Sequence, residues 1–212
     1  MSTKDLKKLF YYISAILFLI WLLPPVSYLK KRVFFPTAFM QEETGDALYS
    51  WVPINRISAN LQRAVVVSED GRFYEHHGFD FQEFQKAFNE NWEKSLTSRG
   101  FSTITMQLAR NLYLTSNRTI VRKLIELVIA FELELSLPKQ RILELYLNIA
   151  EWGEGIYGAE AASRYYFNKP ASQLNFYEAS FLAAILPSPK RWGHWPPLPF
   201  VQQRMNIIRN RL

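Results

Sequence analysis

Ser58-Ala59-Asn60-Leu61-Gln62-Arg63-Ala64-Val65-Val66-Val67 runs without a break into Ser68-Glu69-Asp70-Gly71-Arg72-Phe73-Tyr74-Glu75-His76-His77-Gly78-Phe79-Asp80. The first half is helical in pattern and carries an apolar run from Ala64 to Val67. It ends at two adjacent carboxylates, followed by an arginine, aromatics and two histidines. An apolar helix ending in acids at a turn is one way to set a carboxylate at the mouth of a cleft. Beside apolar walls the anion is disfavoured, so the pKa rises toward values useful for proton transfer. The same pattern also fits a helix C-terminus whose acids are simply solvated, and these residues alone leave both readings open.

Downstream, the helical period continues. Asp80 is placed as the N-cap of a segment with Phe81, Phe84 and Phe88 on one face. In Arg99-Gly100-Phe101-Ser102-Thr103-Ile104-Thr105-Met106-Gln107-Leu108-Ala109-Arg110-Asn111-Leu112, glycine and hydroxyls precede a helix beginning near Thr103. Such an N-terminus suits an anionic oxygen, and equally an ordinary capped helix. Thr119 to Leu137 reads as a long helix with Ile120, Leu124, Leu127, Val128, Phe131 and Leu135 as its apolar positions. Within it Arg122, Lys123 and Glu126 lie in one turn, a spacing that usually marks a surface ion pair. Pro138 ends that helix, and Lys139 to Asn148 starts the next. Ala159 to Phe167 and Tyr177 to Leu186 read as buried helices, and Val201 to Leu212 as a short basic one. No run of strand-like alternation stands out, so the fold class is all-α.

Upstream, Leu9 to Leu29 carries no charge and is flanked by Lys4, Lys7 and Lys8 and by Lys30, Lys31 and Arg32. A membrane span needs about 20 apolar residues. No small-x-small cleavage site follows, which favours an uncleaved single-pass anchor over a signal peptide. Phe10, Tyr11, Tyr12 and Trp21 suit the two interfaces. With Pro36, Gly45 and Pro53, the stretch after it reads as an irregular linker. A chain of 212 residues that is 49% hydrophobic has enough apolar material for one packed core. Its formal charge of +6 favours anionic partners, and the absence of cysteine rules out disulfides and thiolate chemistry. No aromatic–basic recognition module is present, so nucleic acid is not an expected partner.

The blocks SEDGRFYEHHGFD, GFSTITMQLARN, RKLIE, KQRILELYLN, EGIYGAEAASRYYF and YEASFLAAILPSP together resemble the peptidoglycan glycosyltransferases, glycosyltransferase family 51. The likeness covers about residues 55 to 195 with the blocks in family order. Anchor plus one domain, without a penicillin-binding transpeptidase, resembles the family's monofunctional format. Phe101 stands where a second glycine is usual and Met106 where the first of two glutamines is usual, so polar contacts from those positions are not carried over.

The resemblance implies a division into a cytoplasmic tail and anchor (1–32), a linker (33–54) and a glycosyltransferase domain (55–212). It implies a lysozyme-like helical lobe with a smaller jaw, whose apolar surface would use Phe79, Phe81, Phe84, Phe88 and Trp92. The implied substrates are lipid II and the growing glycan strand. An acceptor 4-hydroxyl attacks the donor's anomeric carbon with inversion, releasing undecaprenyl pyrophosphate. Glu69 falls on the family's catalytic glutamate and Glu126 on the second one. Asp70 would raise the pKa of Glu69 by like-charge repulsion. Arg122 and Lys123 match the basic pair that meets the pyrophosphate, with Arg110 and Arg118 as helpers. Ser102, Thr103, Thr105 and Gln107 match the polar block of the cleft. His76, Glu144 and Glu178 fall in family blocks and read as structural. A divalent ion, Mg2+ or Mn2+, on the pyrophosphate is a further expectation, without assigned ligands; no organic cofactor is expected. Division or elongation proteins are expected partners. The expected location is the inner membrane, spanned once, with the catalytic domain in the periplasm. Two other readings are a lytic, muramidase-like enzyme that cuts the same glycan, and an inactive membrane-anchored scaffold.

Overall fold

The computed structural model describes residues 10, 11, 14, 26–30, 47–90, 102–114 and 119–212, with backbone only at 27, 87–90 and 120. Trp92, Phe101 and Arg118 lie outside them, as does most of the apolar run over 9–29. Among the described residues no helix is long and apolar enough to cross a membrane.

Capping residues set most helix starts. α1 (Ala59–Glu69) begins where the Ser58 side chain accepts from Asn60 N, and it buries Leu61, Ala64, Val65 and Val66. In α2 (Phe81–Glu90), Asp80 Oδ1 takes the backbone N–H groups of Gln82 and Glu83, each at 3.0 Å. Thr103 caps α3 (Ile104–Tyr113), accepting from Met106 N at 3.1 Å. Thr119 caps α4 (Ile120–Ser136), which stops before Pro138. α5 (Lys139–Ile149) follows at once, and α6 (Ala159–Phe167) ends at Asn168 in the left-handed region, φ 53°. α7 (Phe176–Ile185) opens with a reciprocal capping box between Asn175 and Glu178. A short α8 (Pro189–Trp192) and α9 (Pro199–Arg209) complete the chain.

The all-α expectation is corrected in one respect. β1 (Leu48–Tyr49) pairs parallel with β3 (Ile156–Tyr157), and β2 (Glu151–Gly153) pairs antiparallel with β3. Strands of two or three residues are too short to leave a readable alternation. β1 also draws residues 47–54 of the expected linker into the domain: Trp51, Val52 and Ile54 pack on the core, and Ile54 N donates to Glu144 Oε1 at 2.8 Å. The end of the apolar run is likewise internal. Val26 and Leu29 are buried, and Leu29 O accepts from Arg141 Nε at 3.0 Å.

Helices α1, α7 and α9 pack together, and α3 packs against α4 and α5. Their buried faces form one core that includes Leu61, Val65, Leu108, Ile129, Leu147 and Leu182. The C-terminal end of α1 and the first turns of α3 are brought together where the two groups meet. Gly78 helps to set that approach. Its φ is +86°, and a Cβ there would lie 3.3 Å from the Ala130 carbonyl of α4, so a side chain would be both strained and crowded.

Candidate active site

Glu69 occupies the last turn of α1. It stays partly exposed, yet protein surrounds it closely enough that desolvation holds its carboxyl above the usual range. Four groups act the other way. Gln107 Nε2 donates to Glu69 Oε2 at 3.0 Å, the Ser68 hydroxyl lies 3.4 Å from Oε1, and the charges of Arg204 and Arg110 favour the anion. The balance is a carboxyl biased toward the proton but still supplied with donors, as a proton acceptor requires.

Asp70, next in sequence, has a different task. Its Oδ1 lies 2.8 Å from His76 Nε2, and its Oδ2 accepts from Ile104 N at 2.9 Å. The residue is buried, with both oxygens engaged inside the protein. Asp70 therefore ties the end of α1 to the start of α3, where the sequence reading had placed it among the substrate contacts. Repulsion from Asp70 is not what raises Glu69 either; burial is the cause. Thr103 and Thr105 are likewise engaged within the protein. The Thr103 hydroxyl donates to Gly78 O at 2.7 Å while capping α3, and the fully buried Thr105 donates to Glu134 Oε1 at 2.5 Å. The structural readings of His76, Glu144 and Glu178 fit what each touches: Asp70, the 54 backbone with Arg141, and the α7 cap with Lys169.

The second half of the site stands on α4. Glu126 Oε1 accepts from Arg122 Nη1 at 2.6 Å, and its Oε2 accepts from Lys123 Nζ at 3.1 Å. The Glu126 side chain is only 2% exposed, so this is no surface ion pair but an anion clamped on its buried side by two cations. Lys123 Nζ also reaches Ser102 Oγ in a close contact. Its pKa lies below the ordinary lysine value through desolvation, opposed by Glu126 and assisted by Arg110 and Arg122.

A continuous path joins the two halves. Gln107 Nε2 donates to Glu69 and also meets Ser102 O at 3.3 Å, and Ser102 Oγ receives Lys123, which pairs with Glu126. Arg110, in the last turn of α3, acts electrostatically on both Glu69 and Lys123. A burial-raised carboxylate and a cluster of cations thus share one site.

Residues 38–212 match the model of the transglycosylase family. The chain belongs to that family. It is 48% identical over 190 residues to the biosynthetic peptidoglycan transglycosylase of Aeromonas hydrophila, covering 89% of this chain and 79% of that protein. The protein of the same name from Chromobacterium violaceum is 40% identical over 208 residues, covering 94% of this chain and 91% of its own. That of Alcanivorax borkumensis is 43% identical over 203 residues, with 95% and 83% covered.

Of the residues singled out on resemblance to this family, Glu69, Ser102, Gln107, Arg110, Arg122, Lys123 and Glu126 come together. Arg118 lies outside the described residues. Two contributors escaped the sequence reading. Arg204 of α9 bears on Glu69 from the far end of the chain, and Tyr146 of α5 donates to Gln107 Oε1 at 3.0 Å. Tyr146 sits in the KQRILELYLN block, but its period marks it as core, and nothing local reveals a partner 39 residues away.

Proposed function

We propose that this protein polymerises lipid II into linear peptidoglycan strands by inverting glycosyl transfer. The observation that carries the reading is the path from Glu69 through Gln107 and Ser102 to Lys123 and Glu126. Glu69 takes the proton of the acceptor 4-hydroxyl as its oxygen forms the new bond to the donor's anomeric carbon. The bond from that carbon to the pyrophosphate breaks, and the electron pair leaves with the undecaprenyl pyrophosphate. Lys123 and Arg122, held by Glu126 and aided by Arg110, stabilise the charge that collects there. A muramidase-like hydrolase would use the carboxyl as an acid and would leave this cationic cluster without a task. An inactive scaffold has no need of a base whose ionisation is tuned by four neighbours.

The donor set does not fit a protein-held divalent ion beside the pyrophosphate cations. Both Glu126 oxygens are taken by Arg122 and Lys123. Elsewhere, Asp70, His76 and Asp80 have ligand-like spacing, with one atom of each within 4.8 Å of the others. Asp70 is engaged by His76 Nε2 and Ile104 N, and Asp80 Oδ1 by the α2 N-terminus, while His76 Nδ1 is buried without a hydrogen-bond partner. The mechanism above therefore uses no metal step.

We read the α3–α5 group with α1, α7 and α9 as the lysozyme-like lobe, and α2 as part of the jaw. Contact of this extracytoplasmic domain with a membrane surface is supported by one face of α4. Val121, Leu124, Phe131 and Leu135 follow helical spacing and are 66%, 59%, 46% and 89% exposed, with Val128 partly exposed among them. Val26, where the apolar N-terminal run ends, packs beside this face, its N–H 3.5 Å from Glu132 Oε1. A bilayer surface is the partner such a stripe fits. The cysteine-free sequence makes this easy to test. Environment-sensitive dyes at Leu124→Cys and Leu135→Cys in the full chain, reconstituted in vesicles, should be quenched by lipid-borne but not aqueous quenchers. Quenching no different from that at an exposed α6 control, Tyr165→Cys, would remove the membrane-face reading.

The catalytic reading is tested with purified protein and labelled lipid II. Polymer should form and undecaprenyl pyrophosphate should be released. Cleavage of preformed glycan without polymer would establish the hydrolase, and neither product the scaffold.

A further inference from the structure

The Glu69 carboxylate is held by an amide whose own orientation has to be fixed. A glutamine amide can turn about its last bond, exchanging donor for acceptor, and only its neighbours decide which end points where. At Gln107, Nε2 faces Glu69 Oε2 at 3.0 Å and Ser102 O at 3.3 Å, both acceptors. Reversal would put Oε1 against two other oxygens. On the opposite side Oε1 accepts from Tyr146 OH at 3.0 Å. The Tyr146 ring is buried in the core, 1% exposed, and burial first, then the nearby Glu69 charge, keeps its phenol protonated and so a donor.

From this arrangement we infer that Tyr146 is a positioning residue for the reaction, which through Gln107 fixes the placement and protonation of Glu69. It touches no substrate. A phenol anchored in the core of α5 locks the amide on α3, and the locked amide presents its N–H to the carboxylate on α1. The other groups acting on Glu69 are Arg110 of α3, Arg204 of α9 and Ser68 of α1, with the buried Asp70 next to it in sequence. The inference rests on the assignment of Glu69 as base, but its first test does not depend on activity.

In the full chain, Tyr146→Phe keeps the ring and its packing and deletes only the donor. The Glu69 carboxyl can be followed by carbon NMR titration, its resonance assigned by its disappearance in Glu69→Gln. Without the anchor the amide holds the anion less well, so the titration midpoint should rise by roughly half to one pH unit. The acid limb of the polymerisation rate should move up by the same amount, kcat near neutrality should fall about tenfold, and KM should stay unchanged. The melting temperature serves as the fold control. An unmoved midpoint overturns the inference whatever the activity does. A midpoint that rises while the acid limb stays put supports the role of Tyr146 and instead overturns Glu69 as the base. Gln107→Leu completes a double-mutant cycle. Acting through Gln107, Tyr146→Phe should add no further midpoint shift in that background. Full additivity would show Tyr146 acting on Glu69 directly and overturn the relay.

Discussion

Glu69→Gln is expected to lower the rate of glycan polymerisation by about three orders of magnitude, within the range that general-base removal produces, while leaving the fold intact. The amide occupies the same space and can still meet Gln107, but it cannot accept the hydroxyl proton. Its effect on stability has the opposite sign from its effect on activity. Folding raises the pKa of Glu69 above its ordinary 4.5, so the ionised side chain is worse placed in the folded protein than in the unfolded one. That cost is absent below about pH 4.5, grows as pH rises toward the folded value, and is fully present above it. Glu69→Gln should therefore melt at the same temperature as the parent in acid and at an equal or higher temperature at neutral pH. The parent's polymerisation rate should in turn be lost as pH falls through the raised pKa, giving an acid limb above that of an ordinary glutamate. Polymerisation by Glu69→Gln at the parental rate would end the assignment, and an unaltered rate with a lower melting temperature would make Glu69 structural.

Much of this fold is written in local chemistry. Ser58, Asp80, Thr103 and Thr119 each stand before a periodic run and each caps it, because a short side-chain oxygen there meets an otherwise unsatisfied N–H. The division of labour between neighbours is not local. Glu69 and Asp70 are adjacent carboxylates with the same intrinsic chemistry, yet one stays partly exposed and the other is buried on His76 and Ile104 N, 34 residues on in the chain. Ser102, Thr103 and Thr105 look alike in a motif, and only packing decides that the threonines face Gly78 and Glu134 while Ser102 meets Lys123. The surface reading of Arg122 and Glu126 failed for the same reason: spacing predicts that the pair can meet, but burial of Glu126 is set by the helices around it. A block of matching residues thus marks where a site lies, and the hydrogen-bond partners tell which members remain free to do chemistry.

Glu126→Gln should be nearly as damaging as loss of the base, by a different route. The carboxylate neutralises two cations at once, with Arg122 on one oxygen and Lys123 on the other. An amide can accept at only one end, so its N–H group would be turned against one of the cations. Lys123 already loses proton affinity to desolvation and to the charges of Arg110 and Arg122, and Glu126 is what restores part of it. Removing that anion drives the Lys123 pKa further down. If, as proposed, the departing pyrophosphate needs the protonated amine, the rate should fall as pH rises through the Lys123 pKa, and in Glu126→Gln this alkaline limb should begin at a lower pH. Near neutrality kcat/KM should drop by about two to three orders of magnitude. Stability should fall by about 2 kcal/mol, less than for a sealed pair because the Lys123 side chain keeps 39% of its exposure. Rates of single bond formation and of strand growth, measured across pH, separate the possibilities. A parental rate for the first bond with only shortened strands would mean that Glu126 guides the growing chain, and that Lys123 keeps its charge without it.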